Sequence, residues 1–302
     1  MSSAVAAESS QTSSSSHCPA CGKAATDSSR AWRLVNARGE AEWLQCNECC
    51  SYFMDREYAL QSEVSHTQQM TWGDADAGAA LNQFKRRMYR SVIGTLQKHL
   101  GDVHGKRLLD IGCAYGGFMA AAVEAGLEVE GYDIVPQAVE HVRSQGLRAE
   151  CCASVNEFSL SKEPFDVVTV LDANIYWPDQ PGELQEIFQR IRPGGLLVMR
   201  VVDKSWLARI GGLLQSVSPQ RGNQVLRRAL NDHRFSMPLG SFLRVVKQTG
   251  FDVISATPRG AVHSDQTSLA VKLSFGLGAA LWHSLGIFMA PGAVVVARRP
   301  AQ

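Results

Sequence analysis

The sequence predicts an α/β fold: a mostly parallel sheet with helices on both faces, preceded by a small segment of paired cysteines. Three observations carry this reading. From residue 107 onward short apolar runs alternate with helical stretches, a glycine-rich turn follows the first run, and four N-terminal cysteines fall in two C-x2-C pairs. Alternation of helices with strands that are apolar throughout marks a parallel sheet covered on both faces, because each crossover lays a helix on one side. At 302 residues the chain can bury such a core and one small accessory domain.

The elements follow in order. Residues 1–16, MSSAVAAESSQTSSSS, lack both the basic start and the apolar run of a secretory signal, and read as a disordered Ser/Ala tail. Residues 17–54 hold Cys18, Cys21, Cys46 and Cys49, with strands expected at 31–35 and 42–45. The polar stretch 55–80 reads as a linker. Phe84, Met88, Val92, Ile93 and Leu96 then recur at helical spacing over 81–100. Strands are expected at 107–111, 128–132, 147–152, 165–171 and 196–202. Helices are expected between them at 117–125, 136–144 and 182–191, and the turn Arg192-Pro193-Gly194-Gly195 leads into the fifth strand. Beyond residue 203 come a helical insert (206–214), a loop, a helix over 238–249, and final strands at 251–256 and 293–297.

One stretch bears on membranes. Residues 273–290 carry no Asp, Glu, Lys or Arg. Leu269, Leu273, Leu277, Leu281 and Leu285 nevertheless recur every fourth residue, the ridge of a helix packed on a sheet, so a half-buried helix is expected and not a span. Contact with a membrane surface or a lipid-like substrate stays open.

Composition narrows the function. With 30 Lys+Arg against 29 Asp+Glu, the chain lacks the basic surplus on which phosphate-backbone binding depends, which argues against a nucleic-acid partner. Within 17–54, Lys23, Arg30, Arg33 and Arg38 are balanced by Asp27, Glu40, Glu42 and Glu48. Cysteines in C-x2-C pairs point to metal binding in a reducing compartment, hence to a cytoplasmic protein.

The segment Leu109-Asp110-Ile111-Gly112-Cys113-Ala114-Tyr115-Gly116 takes a strand into a glycine-rich turn and a helix, which lets backbone approach a ligand. Asp133 closes the next strand, where a carboxylate can accept hydrogen bonds from ribose hydroxyls. A dinucleotide site wants glycine at the second fingerprint position, and here it is Ala114. S-adenosylmethionine has no pyrophosphate, and Asp110 suits its ammonium.

This run resembles the L-D-x-G-C-G-x-G motif of class I S-adenosylmethionine-dependent methyltransferases. Gly131-Tyr132-Asp133, Pro164-Phe165-Asp166, Leu171-Asp172, Arg192-Pro193-Gly194-Gly195 and Thr249-Gly250-Phe251 follow in the family's order. The resemblance covers about residues 81–299. It implies a Rossmann-like seven-stranded sheet whose last strand is antiparallel. It also implies a cofactor site at Asp110, Gly112, Ala114, Gly116, Asp133 and Ile134, and a small-molecule methyl acceptor such as a sugar, a polysaccharide precursor or another metabolite. Asp172 reads either as part of that site or as a strand-end acid. The family's Glu-His pair after the fourth strand is Ile175-Tyr176 here, so the candidate catalytic groups are Tyr176 and His233, with Asn174 and Trp177 near the mouth. Ser236 is expected to cap the late helix. The cysteine pairs resemble the knuckles of a zinc ribbon, with Cys18, Cys21, Cys46 and Cys49 as ligands to one structural zinc and Cys50 as substitute for Cys49. The competing readings are an RNA methyltransferase that holds RNA on the ribbon, and a non-catalytic S-adenosylmethionine-binding scaffold.

Overall fold

The computed structural model describes residues 17–24, 28–36, 39–54, 75–230, 234–258, 280–281, 284, 289–290 and 292–301. The N-terminal tail, the linker up to residue 74, His233 and most of the leucine-ridge helix lie outside the described residues.

Seven strands form the main sheet: β4 (Arg107–Ile111), β5 (Glu128–Asp133), β6 (Arg148–Cys151), β7 (Phe165–Leu171), β8 (Ile191–Val202), β10 (Asp252–Pro258) and β11 (Gly292–Arg298). Their spatial order is β10-β11-β8-β7-β4-β5-β6. β4 through β8 pair in parallel, whereas β11 runs antiparallel to both β8 and β10. The expected seven-stranded sheet with an antiparallel last strand is present. Its centre is apolar on both faces, with Leu108, Leu109, Val167, Val168, Leu197 and Val198 almost wholly buried, as a strand covered by helices on each side requires.

The covering helices are α1 (Ala75–Leu100), α2 (Gly117–Glu124), α3 (Pro136–Ser144), α4 (Gln180–Arg190), α5 (Ser205–Val217), α6 (Pro219–Leu230) and α7 (Leu239–Gln248). Several boundaries differ from the sequence expectations, each for a local reason. α1 begins at Ala75, inside the stretch read as linker, because ADAGAA is rich in the best helix former. The Arg192–Gly195 turn is instead part of β8, where the register with β7 shifts between Phe165 and Val167. α6 replaces the loop expected after α5. Its sequence PQRGNQVLRRAL has low mean hydropathy, yet Gly222, Leu226, Ala229 and Leu230 are buried along one side.

The cysteine segment is not a tethered module. β1 (Ser28–Asn36), β2 (Gly39–Cys46) and β3 (Tyr52–Met54) form an antiparallel sheet that continues into β9 (Phe235–Ser236), supplied from the far end of the chain. Leu34, Trp43, Tyr52 and Met54 share a core with Ala208, Leu226, Ala229 and Leu230 of the α5–α6 hairpin. The two sheets are thus welded through both β9 and the hairpin.

Candidate cofactor site and cysteine centre

The chain runs outward from β4 to β5 and β6 and then returns to β7 on the other side of β4. A crevice opens at the carboxyl ends of strands at such a reversal. The turn after β4 lies there. Gly112 adopts φ +71°, and a Cβ built on it would meet the Ala173 Cβ at 2.5 Å. Ala114 also has positive φ, +48°, a conformation that costs an L-residue about 1–2 kcal/mol. Its N–H donates to Asp133 Oδ2 at 2.8 Å, and the Val135 N–H donates to Oδ1 at 2.9 Å. Asp133 therefore ties the β4 turn to the end of β5, and each carboxylate oxygen has capacity to accept a further donor. Burial raises its pKa, and the Val135 and Ala114 N–H groups work against that rise. Beside it Ile134 is exposed at 58 %. Gly116 ends the turn as the N-cap of α2.

Asp110 is 3 % exposed and accepts a hydrogen bond from Thr169 Oγ1 at 2.7 Å. Burial pushes its pKa up to about 7; Thr169 and Lys85 oppose the rise, and Asp133 adds to it. Between its ordinary value and about 7 the folded state holds a proton that the unfolded state releases, so the contribution of Asp110 to stability is greatest below the ordinary value and falls as pH rises through 7. A cationic ligand at Asp110 needs the carboxylate. Its affinity is expected to weaken by up to about tenfold per pH unit below 7, and titration calorimetry over pH 5–8 checks this; a flat profile would separate the ligand from Asp110.

Asp172, the strand-end acid after β7, also has positive φ, +71°, and its carboxylate pairs with Arg200 and, at 3.6 Å, with Lys85 Nζ. Helix α1 brings Lys85 and the buried Tyr89, one turn apart, to this acidic cluster. Burial raises the Tyr89 pKa, and Asp110 and Asp172 reinforce the rise. Sequence reasoning missed Thr169, Arg200 and Lys85. For Thr169 and Arg200 the legible signal was a polar residue amid the apolar runs VVTVL and LLVMRVV of two central strands.

The acceptor-side candidates separate. Tyr176, on the 3-10 turn Asn174–Tyr176, is 46 % exposed. Trp177 and Asn174, expected near the mouth, are buried at 6 % and 3 %. Trp177 packs in the core, and Asn174 Nδ2 donates to Gln180 Oε1 at 2.9 Å. His233 lies outside the described residues. Ser236 does not cap α7. Its hydroxyl accepts the Lys204 N–H, while the buried Asp203 accepts the Leu239 N–H of α7 and the Ser205 N–H and hydroxyl of α5. One carboxylate thus serves the N-termini of two helices, as their orphan donors require.

The cysteine pairs converge. The sulfurs of Cys18, Cys21, Cys46 and Cys49 all lie within 4.8 Å of one another. Gly22 and Cys50 occupy matching positions after the second cysteine of each pair, and both have positive φ, +75° and +57°. Each donates its N–H to the carbonyl of the first cysteine, Cys18 or Cys46. Cys50 is spent on the turn and stands outside the four-sulfur cluster. Hydrogen bonds to Cys21 and Cys49, then burial, hold the Cys18 thiol above its usual range. Four thiols at this spacing, three buried and Cys21 half-buried, fit a tetrahedral zinc.

Gln180, at the start of α4, joins this centre to the main site. Its N–H donates to the Pro19 carbonyl at 2.9 Å and its Nε2 to the Ala20 carbonyl at 3.2 Å.

A family model described as a methyltransferase domain matches residues 84–256, more than half of the chain. The chain belongs to the methyltransferase-domain family. Its strand order and its β4 turn are those expected of the class I S-adenosylmethionine-dependent type. Among curated relatives, a ubiquinone biosynthesis O-methyltransferase from Idiomarina loihiensis is 28% identical over 124 residues, 38% of this chain and 51% of that protein. A 24-methylenesterol C-methyltransferase 2 from Oryza sativa subsp. japonica is 28% identical over 158 residues, 48% of this chain and 42% of that protein. The chain spans about half the length of the curated relatives it matches. Among solved structures, a chain of the Haloferax volcanii complex between the Trm112 methyltransferase activator and a methyltransferase superposes with a TM-score of 0.54 at 14% identity, covering 76% of this chain and 96% of that one. At that identity the likeness is one of fold.

Proposed function

We propose that this methyltransferase transfers the methyl group of S-adenosylmethionine to a small-molecule acceptor at the carboxyl edge of β4, β5 and β7. The observation that carries the reading is the meeting of a buried acid, Asp110, a left-handed glycine turn and the anchored Asp133 on one edge. When bound, the cofactor supplies a methyl group already activated on a sulfonium. Asp110 would pair with the ammonium, Lys85 would offer positive charge toward the carboxylate, and Asp133 would accept the ribose hydroxyls. Ile134 gives the adenine an apolar surface. The protein's main task is alignment, worth about 7–11 kcal/mol when partners are held in line.

Tyr176 lines the acceptor side, and His233 is the candidate for taking a proton from an oxygen or carbon nucleophile, since its ordinary pKa lies near neutrality. The even charge balance and relatives named for ubiquinone and sterol methylation support a small molecule over RNA.

Asp133→Ala is expected to weaken S-adenosylmethionine binding about 10- to 150-fold, the worth of one hydrogen bond to a charged group at about 1.5–3 kcal/mol. Calorimetry reads this directly. An unchanged Kd would move the cofactor elsewhere, and binding without methyl transfer to any metabolite pool would favour the scaffold reading.

A further inference from the structure

We propose that the outer face of the α5–α6 hairpin docks on an anionic lipid surface. In a chain of net charge +1, residues 204–230 hold Lys204, Arg209, Arg221, Arg227 and Arg228 and no acidic residue at all. The inner faces of both helices are accounted for. Gly211 abuts Leu226, Gly212 abuts the Trp32 ring, Gly222 abuts the backbone of Gln215, and Leu226, Ala229 and Leu230 sit in the core against the cysteine-segment sheet.

On the opposite side of α5, Ile210, Leu213, Leu214 and Val217 recur at i, i+3, i+4 and i+7. Leu213 is 75% exposed and Val217 86%. The outer side of α6 instead exposes Arg221, Arg227 and Arg228, which with Gln220 and Gln224 border a shallow groove. The hairpin leaving the carboxyl end of β8, the sheet edge that carries the candidate site, thus exposes an apolar strip on one helix and a cationic one on the other.

Charge and apolarity together select the occupant. A nucleic acid would take the arginines and leave Leu213 and Val217 in water, and a second copy related by a two-fold axis would set like charges against one another. An anionic bilayer satisfies both strips, with aliphatic side chains at the acyl boundary and guanidinium groups on phosphates. Among the described residues no helix is long and apolar enough to cross a membrane, so the contact is peripheral. It holds whatever the acceptor proves to be.

The test is co-sedimentation of the full chain with vesicles of phosphatidylcholine alone or mixed with phosphatidylglycerol. Binding is expected only to the mixed vesicles and is expected to weaken with salt. The double variant Leu213→Ser, Val217→Ser should lower partitioning by about tenfold with circular dichroism and S-adenosylmethionine affinity unchanged. Each of Arg221→Gln, Arg227→Gln and Arg228→Gln should lower it about fivefold. Absence of wild-type binding would overturn the proposal, as would a Leu213/Val217 variant that partitions like wild type. So would displacement of the vesicles by single-stranded RNA, or a wild-type dimer that the Leu213→Ser change dissociates.

Discussion

Replacing both Cys18 and Cys46 by serine is expected to take the purified protein from one zinc per chain to none, and to loosen more than the cysteine segment. Structural zinc sites of this type contribute about 10–16 kcal/mol of apparent binding free energy near neutral pH. Cys18, Ala20, Cys46 and Cys49 lie in the same buried cluster as Phe53, Trp177, Phe235 and Met237. Gln180 adds two hydrogen bonds from α4 to the first knuckle. Releasing the metal should therefore free β9 and the turn that carries Tyr176, while the main sheet and α1 to α3 keep their helix signal. Elemental analysis and hydrogen exchange over residues 174–180 and 235–239 read the two effects. Cys49→Ser should behave like the double variant and Cys50→Gly should keep the metal, because Cys50 serves the left-handed turn. Wild-type protein purified without chelator and free of metal would remove the zinc centre altogether.

Gly112→Val is expected to abolish measurable S-adenosylmethionine binding, a loss of at least about 100-fold, for a reason the sequence does not contain. Sequence reasoning puts the added side chain into the space of the ligand. In the structure the first atom it meets is the Ala173 Cβ, at 2.5 Å, and the backbone is left-handed at φ +71°. Strain of about 1–2 kcal/mol for the L-residue adds to the steric clash between the β4 and β7 turns. A milder pair isolates the steric part: Gly112→Ala should recover affinity when combined with Ala173→Gly. Calorimetry and thermal melts give both readouts. A Gly112→Val protein with wild-type affinity and Tm would place the ligand away from this turn.

Much of the site was legible because its signals are local. A strand running into glycines, an acid closing the next strand and cysteines two residues apart each describe a few consecutive residues whose backbone conformation or spacing serves a ligand. The Asp110, Gly112 and Asp133 positions lie together on one sheet edge for that reason, since parallel strands bring all their carboxyl ends to the same side. The four clustered cysteines needed only two turns to converge.

What the tertiary structure alone decided rests on contacts between distant segments. β9 extends the cysteine sheet from residues 235–236, Gln180 reaches Ala20 across 160 positions, and Thr169 and Arg200 turn from strand residues into partners of Asp110 and Asp172. Lys85 enters the site because α1 brings it to Asp172, and Trp177 leaves the mouth by joining the buried cluster that also holds Cys18 and Ala20. Periodicity and spacing record how a segment meets its nearest neighbours along the chain. They leave no trace of a hydrogen bond whose partner is brought near only by packing.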